Sequence, residues 1–383
     1  MGIMSFSSEF IHRHGPLTGA VARFAQLLEP KTGPELEAMA QEANRLTRQH
    51  FGRTIRMFGP VYLSNECINN CKYCGFSRDN PILRVTLTPE QVETEAKFLA
   101  NQGFRSILLV AGEHPKFVSE DYLVKCVEKI RPFTPSIGIE VGPMETEGYL
   151  PIVKAGAEYL IVFQETYDPV VYEDMHVFGP KKDYAWRMDC PERGYAAGFR
   201  RLGIGALFGL APWREEAIAL AMHTQYLLKH CWKAFVHVTL PRLRPAAGGF
   251  QPHYEFNDRD MTQVICALRI CFPQIGITQS TRERPEFRDA LMQLGVTTIS
   301  AASRTEPGGY TGAGRDQLHQ TKKGIRGEAI KDVTPDMNAE EQFHIADSRT
   351  VPEVVARLRE MGLEPVWKDW DQSIQNEVVL LNK

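Results

Sequence analysis

The chain has 383 residues, of which 43% are hydrophobic and 24% are charged, and its formal net charge is −3. This balance is typical of a soluble globular protein, and so small a net charge excludes a general attraction to nucleic acid or to an anionic membrane. No apolar run approaches the roughly 20 residues that span a bilayer, and Met1–Phe6 lacks the basic segment and apolar core of a secretory signal.

Helical spacing of apolar residues over 34–50, ended by Gly52, predicts a leading helix. Short strand candidates rich in Val, Ile and Leu then alternate with helix candidates, and their nearly continuous apolar character indicates strands covered on both faces. The strand candidates are 60–64, 105–110, 136–141, 159–164, 203–210, 234–240, 275–279 and 296–302. The helix candidates are 88–102, 119–131, 145–156, 213–230, 257–272, 285–294 and, after the last strand, 351–361.

Eight strand–helix units in series predict a parallel sheet, and eight is the number that closes a barrel. The predicted fold class is therefore α/β, a (β/α)8 TIM-type barrel with N-terminal helical and C-terminal extensions. The expected parts are an N-terminal helical extension over 1–55, the barrel over 56–303, and a C-terminal loop and helix extension over 304–383. Within the last part, the polar segment 308–350 predicts a long loop.

The active site of such a barrel lies where the strands end, on the loops that lead into the helices. Polar residues do follow the predicted strands at this end. They are the cysteine segment after the first strand, Gly112-Glu113-His114 after the second, Gln164-Glu165 at the fourth, Pro241–Arg244 at the sixth, Ser280–Glu283 at the seventh and Ser303-Arg304 at the eighth.

Three of the eight cysteines, Cys67, Cys71 and Cys74, lie within one short segment. Three thiolates can hold three irons of a cubane cluster and leave the fourth iron open. A structural zinc site needs a fourth ligand at short spacing, and none follows. A zinc site completed from a distance, or three free thiols, remain the alternatives.

The other cysteines are single, and several of them lie in apolar stretches, where we expect packing thiols. They are Cys126, Cys190, Cys231, Cys266 and Cys271. A secreted disulfide framework would be shorter and richer in cysteine, so this usage favours a reducing, cytoplasmic compartment.

The spacing C-x3-C-x2-C, with Tyr73 before the third cysteine, resembles the radical S-adenosylmethionine superfamily. The resemblance implies a 4Fe–4S cluster on the three cysteines and S-adenosyl-L-methionine as cofactor, cleaved by one electron to methionine and a 5′-deoxyadenosyl radical. It also implies cofactor-binding residues: Tyr73 against the adenine, the backbone of Phe76 at its amine, Gly112 and Glu113 at the methionine, Glu165 and Arg187 at the ribose or methionine ends, and Gly205 to Gly209 along the adenine. Ala111 departs mildly from the family's Gly-Gly-Glu.

Longer strings are more restrictive than the cysteine motif. YLSNECINNCKYCGFS, LLVAGEH, VFQETY, GIGALFGL, PRLRPAAGG, STRE, SAASRTEPGGY and PVWKDWD, spread from about residue 30 to residue 371, closely resemble the 2-iminoacetate synthases, the tyrosine lyases of thiamine biosynthesis. The resemblance implies that the radical takes hydrogen from the amino group of L-tyrosine. The Cα–Cβ bond then breaks to give 2-iminoacetate (dehydroglycine) and p-cresol.

A primary radical takes any hydrogen within reach, so the orientation of the substrate decides the outcome. A guanidinium can grip the substrate carboxylate with two hydrogen bonds. Arg282 is the predicted catalytic residue for this role, with Arg242, Arg244 and Arg304 as competitors. A salt bridge from Arg282 to Glu283 or Glu286 is the structural alternative.

The residues that hold the phenol ring are not identified by the sequence. His114, His237 and Tyr310 are candidates, and Met175-His176 with 179–184 is a candidate lid.

The same resemblance implies three partners: L-tyrosine, thiazole synthase in a complex, and reduced flavodoxin or ferredoxin as electron donor. Three alternative functions remain. A tyrosine lyase of iron-only hydrogenase maturation would need cysteines for a second C-terminal cluster, and none follows Cys271. A tryptophan lyase would differ in the ring pocket. A non-catalytic iron- or zinc-binding scaffold would not cleave the cofactor.

Overall fold

The computed structural model describes residues 8–367 except 323, 324, 333, 335 and 336. The expectation for Met1–Phe6 lies outside the described residues, as does the end of the string over 365–371. Among the described helices, none is both long and apolar enough to cross a membrane.

The strands of the described residues are β1 Thr54–Ser64, β2 Asn70–Cys71, β3 Leu83–Arg84, β4 Ser106–Ala111, β5 Ser136–Glu140, β6 Tyr159–Glu165, β7 His176–Phe178, β8 Arg201–Ala206, β9 Phe235–Thr239, β10 Gly276–Gln279, β11 Thr298–Ser300, β12 His319–Lys322, β13 Ile325–Ala329 and β14 Glu364–Val366. The helices are α1 Ser8–His14, α2 Gly19–Leu27, α3 Gly33–Phe51, α4 Pro89–Asn101, α5 Glu120–Ile130, α6 Thr146–Ala155, α7 Pro169–Met175, α8 Tyr184–Met188, α9 Cys190–Ala197, α10 Trp213–His230, α11 Asp258–Cys271, α12 Pro285–Leu294 and α13 Val351–Glu360.

Eight parallel strands form a closed barrel in the order β1-β4-β5-β6-β8-β9-β10-β11. Pairing of β11 with β1, from Arg56 opposite Thr298 to Phe58 opposite Ser300, closes it. This confirms the predicted barrel and each of its eight strands. The first strand begins at Thr54, earlier than the predicted residue 60. The prediction began too late because Arg56 interrupts the apolar run, although its neighbours Ile55 and Met57 are buried.

The predicted helices are confirmed, and local capping explains several of their starts. Thr32 and Glu35 exchange side-chain and backbone hydrogen bonds in a capping box that begins α3, and α4 begins the same way at Thr88. Helix α3 packs on α11, so the N-terminal helices cover one flank of the barrel.

The isolated cysteines are packing thiols, as expected. Four of them, Cys126, Cys190, Cys231 and Cys266, are fully buried in the main hydrophobic core, while Cys271 is partly buried at its edge. All eight cysteines lie in the part of the chain that the structure describes, and none of them forms a disulfide there.

The C-terminal region is more ordered than the sequence predicted. The prediction of a long loop over 308–350 was wrong in part. Strands β12 and β13 form an antiparallel hairpin in this segment, and β12 also pairs with β3. Strand β13 is exposed along its length, so it lacks the alternation that marks a half-buried strand. After α13, β14 pairs in parallel with the first residues of β1.

Candidate active site

The segment 65–82, here called the cysteine loop, runs from the end of β1 to β3. Cys71 is buried, while Cys67 and Cys74 are half-buried. Cys67 and Cys74 contact the apolar cluster around Phe58 and Tyr62 at the barrel mouth. Burial raises the pKa of all three thiols, so as an unliganded set they are neutral. Iron would reverse this, because a coordinated thiol gives up its proton.

A buried arginine that the sequence analysis did not single out holds the cysteine loop in shape. Arg84 is completely buried, and its guanidinium donates to the backbone carbonyls of Asn65 (2.5 Å), Phe76 (3.0 Å) and Ser77 (2.7 Å). A guanidinium offers five donors in a fixed plane, so one side chain can satisfy several carbonyls of an irregular loop. No sequence signal marks it, because an isolated arginine is usually exposed.

The end of the second barrel strand lies directly against the cysteine loop. The Gly112 amide donates to the Ser64 carbonyl at 3.0 Å. A Cβ at Gly112 would lie 2.3 Å from the Glu66 carbonyl oxygen, so only glycine fits here. The Glu113 carboxylate accepts a hydrogen bond of 2.7 Å from the Asn69 side chain. Two of the predicted cofactor residues, Gly112 and Glu113, therefore adjoin the cysteines.

A cavity of about 590 Å³ opens beside this junction, lined by residues that include Gly112, Glu113, Gly142, Pro180 and Trp186. Three thiols on one loop, a backbone approach that any Cβ would block and an adjoining cavity fit a cluster with three protein ligands and an organic cofactor. No three His, Cys, Asp or Glu side chains in the described chain converge on one metal-ion position. A cubane cluster spreads its ligands over separate irons, so this finding concerns single-ion sites.

Glu165 and Arg187, predicted from different segments, are in contact, and Lys181 joins them. Glu165 Oε1 lies 2.7 Å from Lys181 Nζ and 3.5 Å from Arg187 Nη2. Burial favours the neutral acid, but the two cations overcome it and hold the pKa of Glu165 below its usual range. Glu165 also has φ +72°, a conformation that non-glycine residues rarely adopt. Strain of this kind, of order 1 kcal/mol, is common at functional sites.

Tyr73, the predicted adenine-packing residue, is fixed through its hydroxyl. The hydroxyl donates to His176 Nε2 at 2.8 Å, while His176 Nδ1 donates to the Tyr172 carbonyl at 2.7 Å. Burial lowers the pKa of His176 to about 3, so the ring is neutral. Strand β7 pairs with β2 in the cysteine loop. The candidate lid therefore packs on the cysteine loop.

The remaining predicted cofactor residues, Phe76, Gly205 and Gly209, do not line the cavity beside Gly112 and Glu113. Phe76 is buried edge-to-face against Tyr62, with ring centroids 5.9 Å apart. Gly205 lies in β8, where a Cβ would approach the Thr239 carbonyl to 2.5 Å, and Gly209 follows the strand with φ +114°. Their contacts with a cofactor remain predictions.

Arg282 projects into a second cavity, of about 70 Å³, inside the mouth of the barrel. Its guanidinium carbon lies 3.4 Å from the centroid of the Phe343 ring, and Nη1 donates to the Arg242 carbonyl at 3.3 Å. The alternative salt bridge to Glu283 is not formed, because Glu283 binds Arg242 instead. Arg282 forms no ion pair with any described carboxylate, which leaves its charge available to a ligand.

The competing arginines and the ring-pocket candidates do not line this second cavity. Arg242 is paired with Glu283 and Asp258. His237 is buried at the opposite end of the barrel, and the His114 ring lies tilted against Phe117, with the ring centroids 4.4 Å apart. Tyr310 donates its hydroxyl to the Pro60 carbonyl at 2.9 Å.

Two family models match the chain. Residues 61–221 match the radical SAM superfamily, which in general uses a 4Fe–4S cluster and S-adenosylmethionine. Residues 239–364 match the biotin and thiamin synthesis associated domain. The first match ends within α10 and the second begins at the last residue of β9, so both matches include strands of the barrel.

Solved structures share the fold. HydG, a maturase of the FeFe-hydrogenase, is 29% identical with a TM-score of 0.81, and the match covers 94% of this chain and 76% of HydG. HydG from Carboxydothermus hydrogenoformans is 33% identical with a TM-score of 0.80, over 94% and 78% of the two chains. Methylornithine synthase, at 22% identity and a TM-score of 0.69 over 97% and 98%, supports the fold alone.

Curated relatives identify the family within the superfamily. The chain is 39% identical over 346 residues to 2-iminoacetate synthase of Salmonella typhimurium, and equally to that of Escherichia coli, covering 90% of this chain and 86% of each relative. Such identity along nearly the whole of both chains includes the barrel, the cysteine loop and the C-terminal hairpin. The chain belongs to the 2-iminoacetate synthase family of the radical SAM superfamily.

Proposed function

We propose that this chain cleaves the Cα–Cβ bond of L-tyrosine to 2-iminoacetate and p-cresol, as a 2-iminoacetate synthase that serves formation of the thiamine thiazole. The single observation that carries the proposal is the 39% identity to two 2-iminoacetate synthases over 90% of the chain. The cysteine loop and the cavity with an unpaired arginine supply the parts that such a reaction needs.

Cys67, Cys71 and Cys74 would hold the cluster, with the cofactor in the adjoining cavity beside Gly112 and Glu113. When bound, these groups supply a carbon radical. Glu165, Lys181 and Arg187 present one carboxylate and two cations at the end of the fourth barrel strand, suited to ribose hydroxyls and to the methionine carboxylate.

Within the second cavity, Arg282 would bind the substrate carboxylate. The walls are mostly apolar and include Phe58, Leu108, Val110 and Phe163. Apolar walls suit an aromatic ring and exclude water, and the absence of water strengthens the electrostatic contacts that a charged side chain makes inside the cavity. One fixed cation in an apolar chamber orients the amino acid by its head group.

The second candidate is tyrosine cleavage for hydrogenase maturation. The observation that favours it is the similarity to two HydG structures. Carbon monoxide and cyanide among the products would establish it, whereas 2-iminoacetate, trapped as glyoxylate after hydrolysis, supports the main proposal. A tryptophan lyase would give 3-methylindolic acid.

The proposed function implies partners. A complex with thiazole synthase would protect the imine from hydrolysis, and reduced flavodoxin or ferredoxin would supply electrons. Co-elution of thiazole synthase with the cluster-loaded chain on a sizing column under anaerobic conditions would establish the first partner.

The deciding experiment is anaerobic reconstitution with iron and sulfide, followed by incubation with dithionite, S-adenosylmethionine and tyrosine. We expect 5′-deoxyadenosine, methionine, p-cresol and glyoxylate by mass spectrometry. 5′-Deoxyadenosine without p-cresol would overturn the tyrosine assignment. No 5′-deoxyadenosine at all would favour the non-catalytic scaffold.

A further inference from the structure

Glu140, the last residue of β5, is a carboxyl group to which the sequence analysis assigned no role. It lines the second cavity together with Arg282. In the register of the sheet it lies beside Val110, which in turn lies beside Tyr62, so it belongs to the layer of side chains just inside the barrel mouth. Within the described residues, no hydrogen bond or ion pair engages its carboxyl group.

Glu140 and Arg282 are the acidic and basic side chains that line this cavity. They are near enough that each shifts the pKa of the other. They are nevertheless too far apart for an ion pair, which would require a nitrogen–oxygen distance of 4.0 Å or less. Two opposite charges on one apolar cavity without mutual contact leave a gap that a molecule carrying both charges can fill.

The other titratable groups that influence Glu140 are already engaged. Glu165 is bound by Lys181 and Arg187. The Tyr62 hydroxyl donates to Gln342 Oε1 at 2.8 Å, and the Tyr159 hydroxyl donates to the Ile107 carbonyl at 3.0 Å. Burial, and next the negative charge of Glu165, raise the pKa of Glu140 to about 7. A carboxyl that titrates near the working pH can both accept and return a proton.

We propose that Glu140 binds the α-ammonium group of the amino acid substrate and removes one proton from it. The inference rests on the proposed function. In this step an N–H bond of the ammonium breaks, its electron pair stays on nitrogen, and the proton forms an O–H bond on Glu140. Ammonium becomes neutral amine and carboxylate becomes carboxylic acid, so charge and atoms balance without another reactant.

The head group of the substrate, rather than its phenol, suits this pair of residues. An α-amino acid carries its ammonium and carboxylate on one carbon, which matches opposite charges facing a common gap. Loss of a hydrogen atom from an ammonium would leave a positively charged nitrogen radical, whereas loss from an amine leaves a neutral one. Deprotonation therefore gives the neutral amine from which the proposed reaction removes a hydrogen atom.

The first test measures binding of tyrosine and of 3-(4-hydroxyphenyl)propanoate, which lacks the amino group, by equilibrium dialysis with the cluster-loaded protein. The wild-type chain should prefer tyrosine. Glu140→Gln should weaken tyrosine binding at least tenfold and leave the analogue nearly unchanged. Equal weakening for both ligands would place Glu140 at the phenol, and unchanged affinity for both would remove it from the site. Either result overturns the proposal.

The second test is the pH profile of p-cresol formation. The wild-type rate should rise through about pH 7 and then level off, while Glu140→Gln should rise only as the free amine appears at higher pH. Glu140→Asp keeps the carboxylate and should keep both the wild-type profile and the preference for tyrosine. If Asp behaves like Gln, or Gln keeps the wild-type profile, the proposal fails. A wild-type chain that binds tyrosine but forms no p-cresol overturns the proposed function instead.

Discussion

Two sets of buried charged residues, one at each end of the barrel, are arranged in opposite ways. At the end where the strands begin, Arg201 lies 3.1 Å from Glu158 Oε1, and Ser136 hydrogen-bonds both partners. The guanidinium also lies over the Tyr159 ring, 4.8 Å from its centroid. At the end where the strands finish, Glu140 and Arg282 share a cavity without an ion pair between them.

The difference separates charges that stabilise the fold from charges that await a ligand. The Arg201–Glu158 ion pair and its hydrogen bonds to Ser136 satisfy both charged groups, whereas Glu140 and Arg282 form no ion pair with each other. The starting end is also covered by β14 and Trp367, whose ring packs edge-to-face on Phe104 at 5.4 Å. The finishing end carries the cysteine loop instead. Both ends are buried, so burial alone does not mark the site.

Replacing one cysteine of the triad should produce the largest effect. Cys71→Ala removes a thiolate that three-point attachment requires, so we expect loss of the cluster spectrum and p-cresol below detection with the barrel still folded. Iron content and the ultraviolet–visible spectrum of the anaerobic protein measure this. Cys266→Ala is the matched control, since Cys266 lies in the core. Equal iron in both variants would contradict the assignment.

Removing the unpaired cation at the finishing end should act on catalysis more than on stability. Arg282→Ala should reduce p-cresol formation by about 10³-fold, because a carboxylate in an apolar chamber loses its charged hydrogen-bond donor. The cluster spectrum and tyrosine-independent cleavage of the cofactor should persist. Unchanged p-cresol yield would return Arg282 to a structural role.

Breaking the pair at the starting end should give the reverse result. Glu158→Ala leaves the Arg201 guanidinium buried without its carboxylate, which should lower the free energy of unfolding by about 3 kcal/mol. Denaturant titration measures this loss, and kcat of the remaining folded enzyme should stay near that of the wild type. A large fall in kcat at unchanged stability would mean that the two ends are not separate in function.

The smallest effect concerns pH and the ligand-free protein. The folded pKa of Glu140 is about 7, above its ordinary value of 4.5, so its contribution to stability is present below about pH 4.5 and is lost as pH rises to about 7. Glu140→Gln does not ionise, so it should be more stable than the wild type above pH 7, and this gain should shrink as the pH is lowered to 5. Thermal melts at pH 5 and pH 8 check this, and a difference independent of pH would contradict it.

Local sequence patterns were sufficient to predict the barrel and the cysteine triad. The helix starts at Thr32 and Thr88 depend on residues three apart, and the strands are short apolar runs. The hairpin of β12 and β13 escaped prediction, because β13 is exposed and β12 pairs with β3, which lies in a distant part of the chain. The division into parts at residues 55 and 303 remains a prediction.

The sequence by itself determined the fold class, the cysteine triad and the family resemblance, because periodicity, short spacings and long strings are properties of contiguous residues. Only the tertiary structure decided which charged side chains remain unpaired. Arg242 and Arg282 are indistinguishable by composition, yet one meets Glu283 and the other faces a cavity with Glu140. Pairing depends on distances between strands far apart in the chain, and those distances exist only once the barrel closes.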